Sequence, residues 1–167
     1  MDSRAGTRPD PSGSGAHGRP RRVVHEVTHD LVRAEDLRGL RADLVAWVRA
    51  TAGRPDGPAL ADRLEDVATA LYEALTNVVD HAYPHGSGPL RVTARLTVGD
   101  APDDPSQDAE VPWLEIEVAD RGGWRPAPAD PGHRGRGLQL LAGLTDGHDL
   151  QRGPEGTRVL LWWHLPP

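Results

Sequence analysis

The stretch from Ala59 to about Tyr83 constrains this chain more than any other. Leu60, Leu64, Val67, Leu71, Leu75, Val78 and Ala82 recur on one stripe of a 3.6-residue period, which predicts a long amphipathic helix with a buried face. At roughly 100° per residue, Glu73, Asn77 and Asp80 gather on the opposite side. One face is core. The other carries a carboxylate, a carboxamide and a second carboxylate in vertical register.

The flanking segments define a small α+β domain. A first strand is expected over Arg22 to Thr28, and a helix from Ala34 to Thr51 built on Leu37, Leu40, Leu44, Trp47 and Val48. Gly53 to Pro58 breaks that helix. Leu90, Val92, Ala94, Leu96 and Val98 alternate with polar residues, as do Leu114, Ile116 and Val118, so two strands follow. Paired antiparallel, they would set two Arg against two Glu on the exposed side, at ~0.2–1 kcal/mol per pair. The acidic linker from Gly99 to Glu110 reads as a long hairpin loop. A Gly/Pro-rich loop over Arg121 to Arg136 leads into a short helix near Gly137, then a strand near Leu150 and a last strand from Thr157 to Leu165. The order β-α-α-β-β-α-β-β predicts a two-layer α+β sandwich, a mixed sheet with helices packed on one face. Residues 1–20, rich in Gly, Ser, Pro and Arg, read as a disordered arm ahead of one domain over 21–167. The adjacent Trp162 and Trp163 are expected to pack on the two faces of the sheet.

Absences narrow the chemistry. There is no Cys, which excludes disulfides, thiolate zinc sites and Cys nucleophiles. All 19 basic residues are Arg. Without Lys, a Walker A phosphate loop, a Schiff-base enzyme and the ordinary protein-kinase fold are excluded in their usual forms. A formal charge of −6 argues against nucleic acid or an anionic membrane as the main partner. No apolar run approaches a membrane span and no signal-peptide core opens the chain, so a cytoplasmic location is expected.

Four local signals remain. On the polar helix face, Asn77 offers an amide oxygen of the kind Mg²⁺ accepts, and Glu73, one turn away, is placed to take a hydroxyl proton. Alone, this spacing also describes a solvated helix surface. Asp120-Arg121-Gly122 follows a buried strand; it can be a plain turn, or a carboxylate receiving an exocyclic amine with glycine beside a flat ring. Gly132 to Leu138 runs into a helix N-terminus, where backbone N–H groups can hold an anion and Arg134 and Arg136 add bidentate donors. Gly156-Thr157 opens the last strand. His81 and His85 do not make a zinc site, for His81 is off the Asp80 face and no third spaced ligand is present.

In conjunction and in this order, E-x-x-x-N, D-x-G, G-x-G-L and G-T resemble the ATP-binding fold shared by DNA gyrase, heat-shock chaperones, histidine kinases and MutL (the GHKL or Bergerat fold). More narrowly, Glu73 to Pro84 is similar to the anti-sigma factor serine kinases of the RsbW and SpoIIAB type. The resemblance implies ATP and Mg²⁺ as cofactors. It makes Glu73 the base on a serine hydroxyl and Asn77 the Mg²⁺ ligand. Asp120 would hold the adenine amine, with Gly122 against the ring and Thr157 supporting. Arg134, Gly135, Arg136, Gly137 and Leu138 would form the lid and phosphate cradle, while Asp80 and His81 would line the pocket. The pattern departs at Trp124, which replaces the second glycine of the usual Asp-x-Gly-x-Gly, and the lid from Trp124 to Arg134 is short and rich in Pro.

The implied function is an ATP-dependent serine/threonine protein kinase that binds a sigma factor and phosphorylates a STAS-type anti-anti-sigma protein. The alternative is a partner-sequestering module that binds ATP without transfer. A homodimer is a further implication. A self-phosphorylating histidine kinase or a gyrase-type ATPase is not expected, because each uses domains for which this length leaves no space.

Overall fold

A computed structural model describes residues 22–30, 36–52, 57–83, 88–100, 110–122 and 136–166; side chains at 22–25, 79–81, 98–100, 110–111, 136 and 138 are outside that description. The elements follow the order expected: β1 (Arg22–His29), α1 (Leu37–Thr51), α2 (Pro58–Ala82), β2 (Leu90–Asp100), β3 (Glu110–Asp120), α3 (Arg136–Leu144), β4 (Gly147–Gly153) and β5 (Gly156–His164). The five strands form one sheet in the order β1-β2-β3-β5-β4.

Every pairing in that sheet is antiparallel, so it is not the mixed sheet expected from the sequence. The reason is the path between β3 and β5. The chain crosses the helical layer through α3 and returns along β4, an edge strand, before β5 enters beside β3.

Alternation along the strands sorts side chains onto two faces. Val92, Ala94, Leu96, Leu114, Ile116, Val118, Val159, Leu161 and Trp163 join one core with Leu40, Leu44 and Val48 of α1, the stripe of α2 and Leu141 of α3. Leu60, Leu64, Val67, Leu71, Leu75 and Val78 are all buried, as the periodicity requires. At about 1.5–3 kcal/mol for each such side chain, that stripe anchors the helical layer. α2 packs against α1 and α3 on either side and against β3 and β5 beneath. It begins at Pro58, where a missing N–H needs no partner.

Trp162 falls on the other face, buried with Trp113 and Leu160. Trp163 lies in the main core and donates its indole N–H to the Leu144 carbonyl at 2.7 Å, satisfying an orphan acceptor at the end of α3.

The hairpin β2–β3 corrects two expectations. Its strands pair through Asp100 and Glu110, so both ends of the supposed loop lie in the ladder; 101–109 lie outside the described residues. Only one of the two anticipated Arg–Glu pairs forms across it. Arg95 faces Glu115 and reaches it at 3.4 Å. Arg91 faces Ala119 and bonds Asp30 at 2.5 Å, while Glu117 pairs with Arg158 of β5. In an antiparallel pair, two Arg four residues apart cannot both face two Glu that are two apart.

At the far end of the helical layer, Asp146 ties three elements together. Its Oδ2 accepts the backbone N–H of His164 at 2.6 Å and lies 3.2 Å from that imidazole's Nδ1, while Oδ1 is 3.2 Å from the Arg63 guanidinium of α2. The His164 ring stands edge-on to Trp113, with centroids 4.3 Å apart. Burial alone would raise the Asp146 carboxyl, but the His164 hydrogen bonds and the Arg63 charge outweigh it and leave the group below its ordinary range.

Candidate active site

The site sits at the C-terminal half of α2. Glu73 and Asn77 are half-buried on the face turned away from the core stripe. Between them Thr76 folds its hydroxyl back onto the helix, donating to the Tyr72 carbonyl at 2.9 Å and the Glu73 carbonyl at 3.1 Å. It therefore stays out of the polar row.

Gly137, the second residue of α3, stands against Asn77. A Cβ at that glycine would lie 3.3 Å from Asn77 Nδ2, closer than most side chains pack, and 3.6 Å from Oδ1, in ordinary contact. The first turn of α3 thus abuts the carboxamide. The free N–H groups of a helix start carry partial positive charge, so an anion lying there would touch both the helix end and Asn77.

Asp120 ends β3 on the core face and is buried. Its Oδ1 accepts two backbone N–H groups, from Gly122 at 2.8 Å and from Thr157 at 3.2 Å. The first closes an Asx turn; the second fastens β3 to the start of β5. Its Oδ2 is sealed from solvent and has no partner among the described residues. A buried acceptor left without a donor costs about 1–3 kcal/mol. Such an atom fits the amino group of a nucleobase.

Close backbone approaches hold this turn in place. A Cβ at Gly122 would overlap the Ala82 carbonyl at the end of α2. Gly156 has φ +129°, a conformation L side chains rarely adopt, and a Cβ there would strike the Asp120 carbonyl. Gly156 brings β5 onto Asp120, and Gly122 brings the turn onto the end of α2.

A cavity of about 320 Å³ opens at the same sheet end, lined by Asp30, Pro89, Leu90, Arg91, Ala119, Asp120 and Arg121. It reaches the Asp120 turn but not Asn77 or Glu73, and much of its wall is the helix-free side of the sheet. It marks the neighbourhood of Asp120 only.

The structure therefore brings together Glu73, Asn77 and Gly137, and separately Asp120, Gly122 and Thr157. Thr157 contributes through its backbone N–H. Asp80 and His81 lie in the last two turns of α2, and Arg136 and Leu138 in the first turn of α3; only their backbone is described. Arg134, Gly135, Trp124 and the lid lie outside the described residues. Among the described residues no three His, Asp or Glu cluster to hold a metal. Mg²⁺ bound by one amide and phosphate oxygens does not need such a cluster. Sequence reasoning missed Tyr83, whose hydroxyl accepts the Arg121 N–H.

The model of the histidine kinase-like ATPase domain matches residues 32–163, an interval that holds both groups of site residues. The chain belongs to the histidine kinase-like ATPase domain family. This ATPase domain carries its motif residues on α2, the β3 end and the start of α3, in the order that the GHKL resemblance required.

Among solved structures, it is similar to the RsbU and RsbW domains of Rv1364c from Mycobacterium tuberculosis, at 22% identity and a TM-score of 0.57 over 86% of this chain. The ATPase domain spans 33% of that protein's length, and the likeness is one of fold. A histidine kinase domain from Erythrobacter litoralis EL346, a blue-light activated kinase, matches 77% of this chain and 61% of its own at 19% identity and a TM-score of 0.43. No curated protein matches the chain by sequence.

Proposed function

We propose that the chain is an ATP-dependent regulatory serine/threonine kinase of partner-switching type, which binds a sigma factor in the cytoplasm and phosphorylates a STAS-type anti-anti-sigma protein. Family membership supports ATP as the nucleotide. The likeness to a structure that contains an RsbW domain supports this kind of partner. A homodimer accords with the same resemblance.

The observation that carries the reading is Asp120, with one oxygen held by Gly122 and Thr157 and the other buried and without a partner among the described residues. That atom would accept the adenine amine, with Gly122 beside the ring. Asn77 would hold Mg²⁺ against the phosphates, close to Gly137 and the α3 N-terminus, with Arg134, Gly135, Arg136 and Leu138 completing the cradle. Asp80 and His81 would line the wall. Bound Mg-ATP supplies the phosphoryl group to be transferred. Glu73, one helical turn from Asn77, would accept the proton of the attacking serine hydroxyl as a general base.

Incubation of the chain with Mg-ATP and a STAS-domain partner tests this. Phosphoserine on the partner is the expected result. Tight binding without transfer would instead establish the sequestering module, the reading that Trp124 in the lid sequence favours.

A further inference from the structure

Tyr83 is the first residue past α2, and its phenol joins three parts of the chain. The hydroxyl donates to the Pro89 carbonyl at 2.8 Å, just ahead of β2. It accepts the backbone N–H of Arg121 at 3.0 Å, in the middle of the Asp120–Gly122 turn. Gly88 lies against the ring, where a Cβ would overlap the aromatic carbons. A ring bonded at its tip and flanked by a glycine has little freedom to leave that position.

The consequence falls on Asp120. The turn has two consecutive N–H groups, and both are taken: that of Gly122 by Asp120 Oδ1 and that of Arg121 by Tyr83. Thr157 is held on the same Oδ1, so two N–H groups grip that one oxygen while Tyr83 holds the turn behind it. What remains for a ligand is Oδ2, and its direction depends on the turn that Tyr83 clasps.

We propose that Tyr83 is a positioning residue for base selection. By holding the Arg121 N–H it aims Asp120 Oδ2, and so sets the preference for a purine with a 6-amino group over one with a 6-oxo group. This rests on the reading that Asp120 receives the nucleobase.

The test compares ATP with inosine triphosphate, which differs at position 6 of the base, by titration of the full chain. Tyr83→Phe keeps the ring and removes the hydroxyl. The expected result is a loss of ATP affinity of about 3- to 10-fold, the scale of one hydrogen bond, with inosine triphosphate affinity unchanged. Gly88→Ala, whose Cβ would overlap the ring and push it from its place, is expected to give the same selective loss and carries the test should Tyr83→Phe not fold. Equal losses for both nucleotides, or no loss for either, would overturn the proposal. Asp120→Asn separates it from its foundation. If that variant keeps the wild-type preference for ATP, the base assignment itself is wrong. If Asp120→Asn erases the preference while the Tyr83 and Gly88 variants keep it, only the positioning role falls.

Discussion

Gly137 meets Asn77 so closely that the start of α3 and the polar face of α2 form one surface, with 3.3 Å between a would-be Cβ and the carboxamide nitrogen. Two segments sixty residues apart in sequence are thereby brought side by side. A methyl group at Gly137 would press on the Asn77 amide and shift it by a few tenths of an ångström.

Gly137→Ala is therefore expected to separate stability from binding. Alanine favours a helix over glycine by up to about 1 kcal/mol, so the unfolding midpoint should not fall. Mg-ATP affinity should fall about 10-fold or more, with Gly137→Val weaker still. Calorimetric affinity beside a thermal melt checks both; an unchanged affinity would remove Gly137 from the cradle.

Glu73→Ala should leave nucleotide affinity within about 2-fold of wild type, because a base acts on the nucleophile and not on the bound ground state. Phosphoryl transfer to the partner should drop by about 100-fold or more. Labelled phosphate on the partner at the wild-type rate would show that Glu73 is not the base.

The α2 stripe and its polar row were legible because a 3.6-residue period needs only local spacing, and Leu60 to Val78 obey it without exception. The direction of β5 relative to β3 was not, since it depends on the path through α3 and β4. The single Arg95–Glu115 pair could have been found by arithmetic, for register in an antiparallel hairpin keeps the sum of partner numbers constant. The Asp120 turn was legible as Asp-x-Gly. Its Thr157 partner in the Gly156-Thr157 pair gained meaning only once β5 lay beside β3. The Tyr83 clasp left no signal, because its acceptor and donor lie 6 and 38 residues away with no pattern linking them.

Asp146 gives a pH prediction that involves none of the candidate site residues. Its carboxyl is held below its ordinary range by His164 and Arg63 against the cost of burial. A depressed folded pKa stabilises the protein above the unfolded carboxylate value of about 4, and that stability is lost as pH falls through the folded pKa. Asp146→Asn should thus lower stability by at most about 1 kcal/mol near neutral pH. The gap from wild type should close in acid. Denaturant melts from pH 7 to 3 measure it, and a gap that stays constant would show that the charge contributes nothing.

Titration of the chain with ATP, with and without magnesium, bears most directly on the shared surface of α2 and α3. Wild type should bind ATP at one saturable site, and magnesium should tighten it. Asn77→Ala should retain the magnesium-free affinity and lose the tightening. A wild-type chain that takes up no ATP, or an Asn77→Ala variant that still responds to magnesium as wild type does, would contradict the assignment.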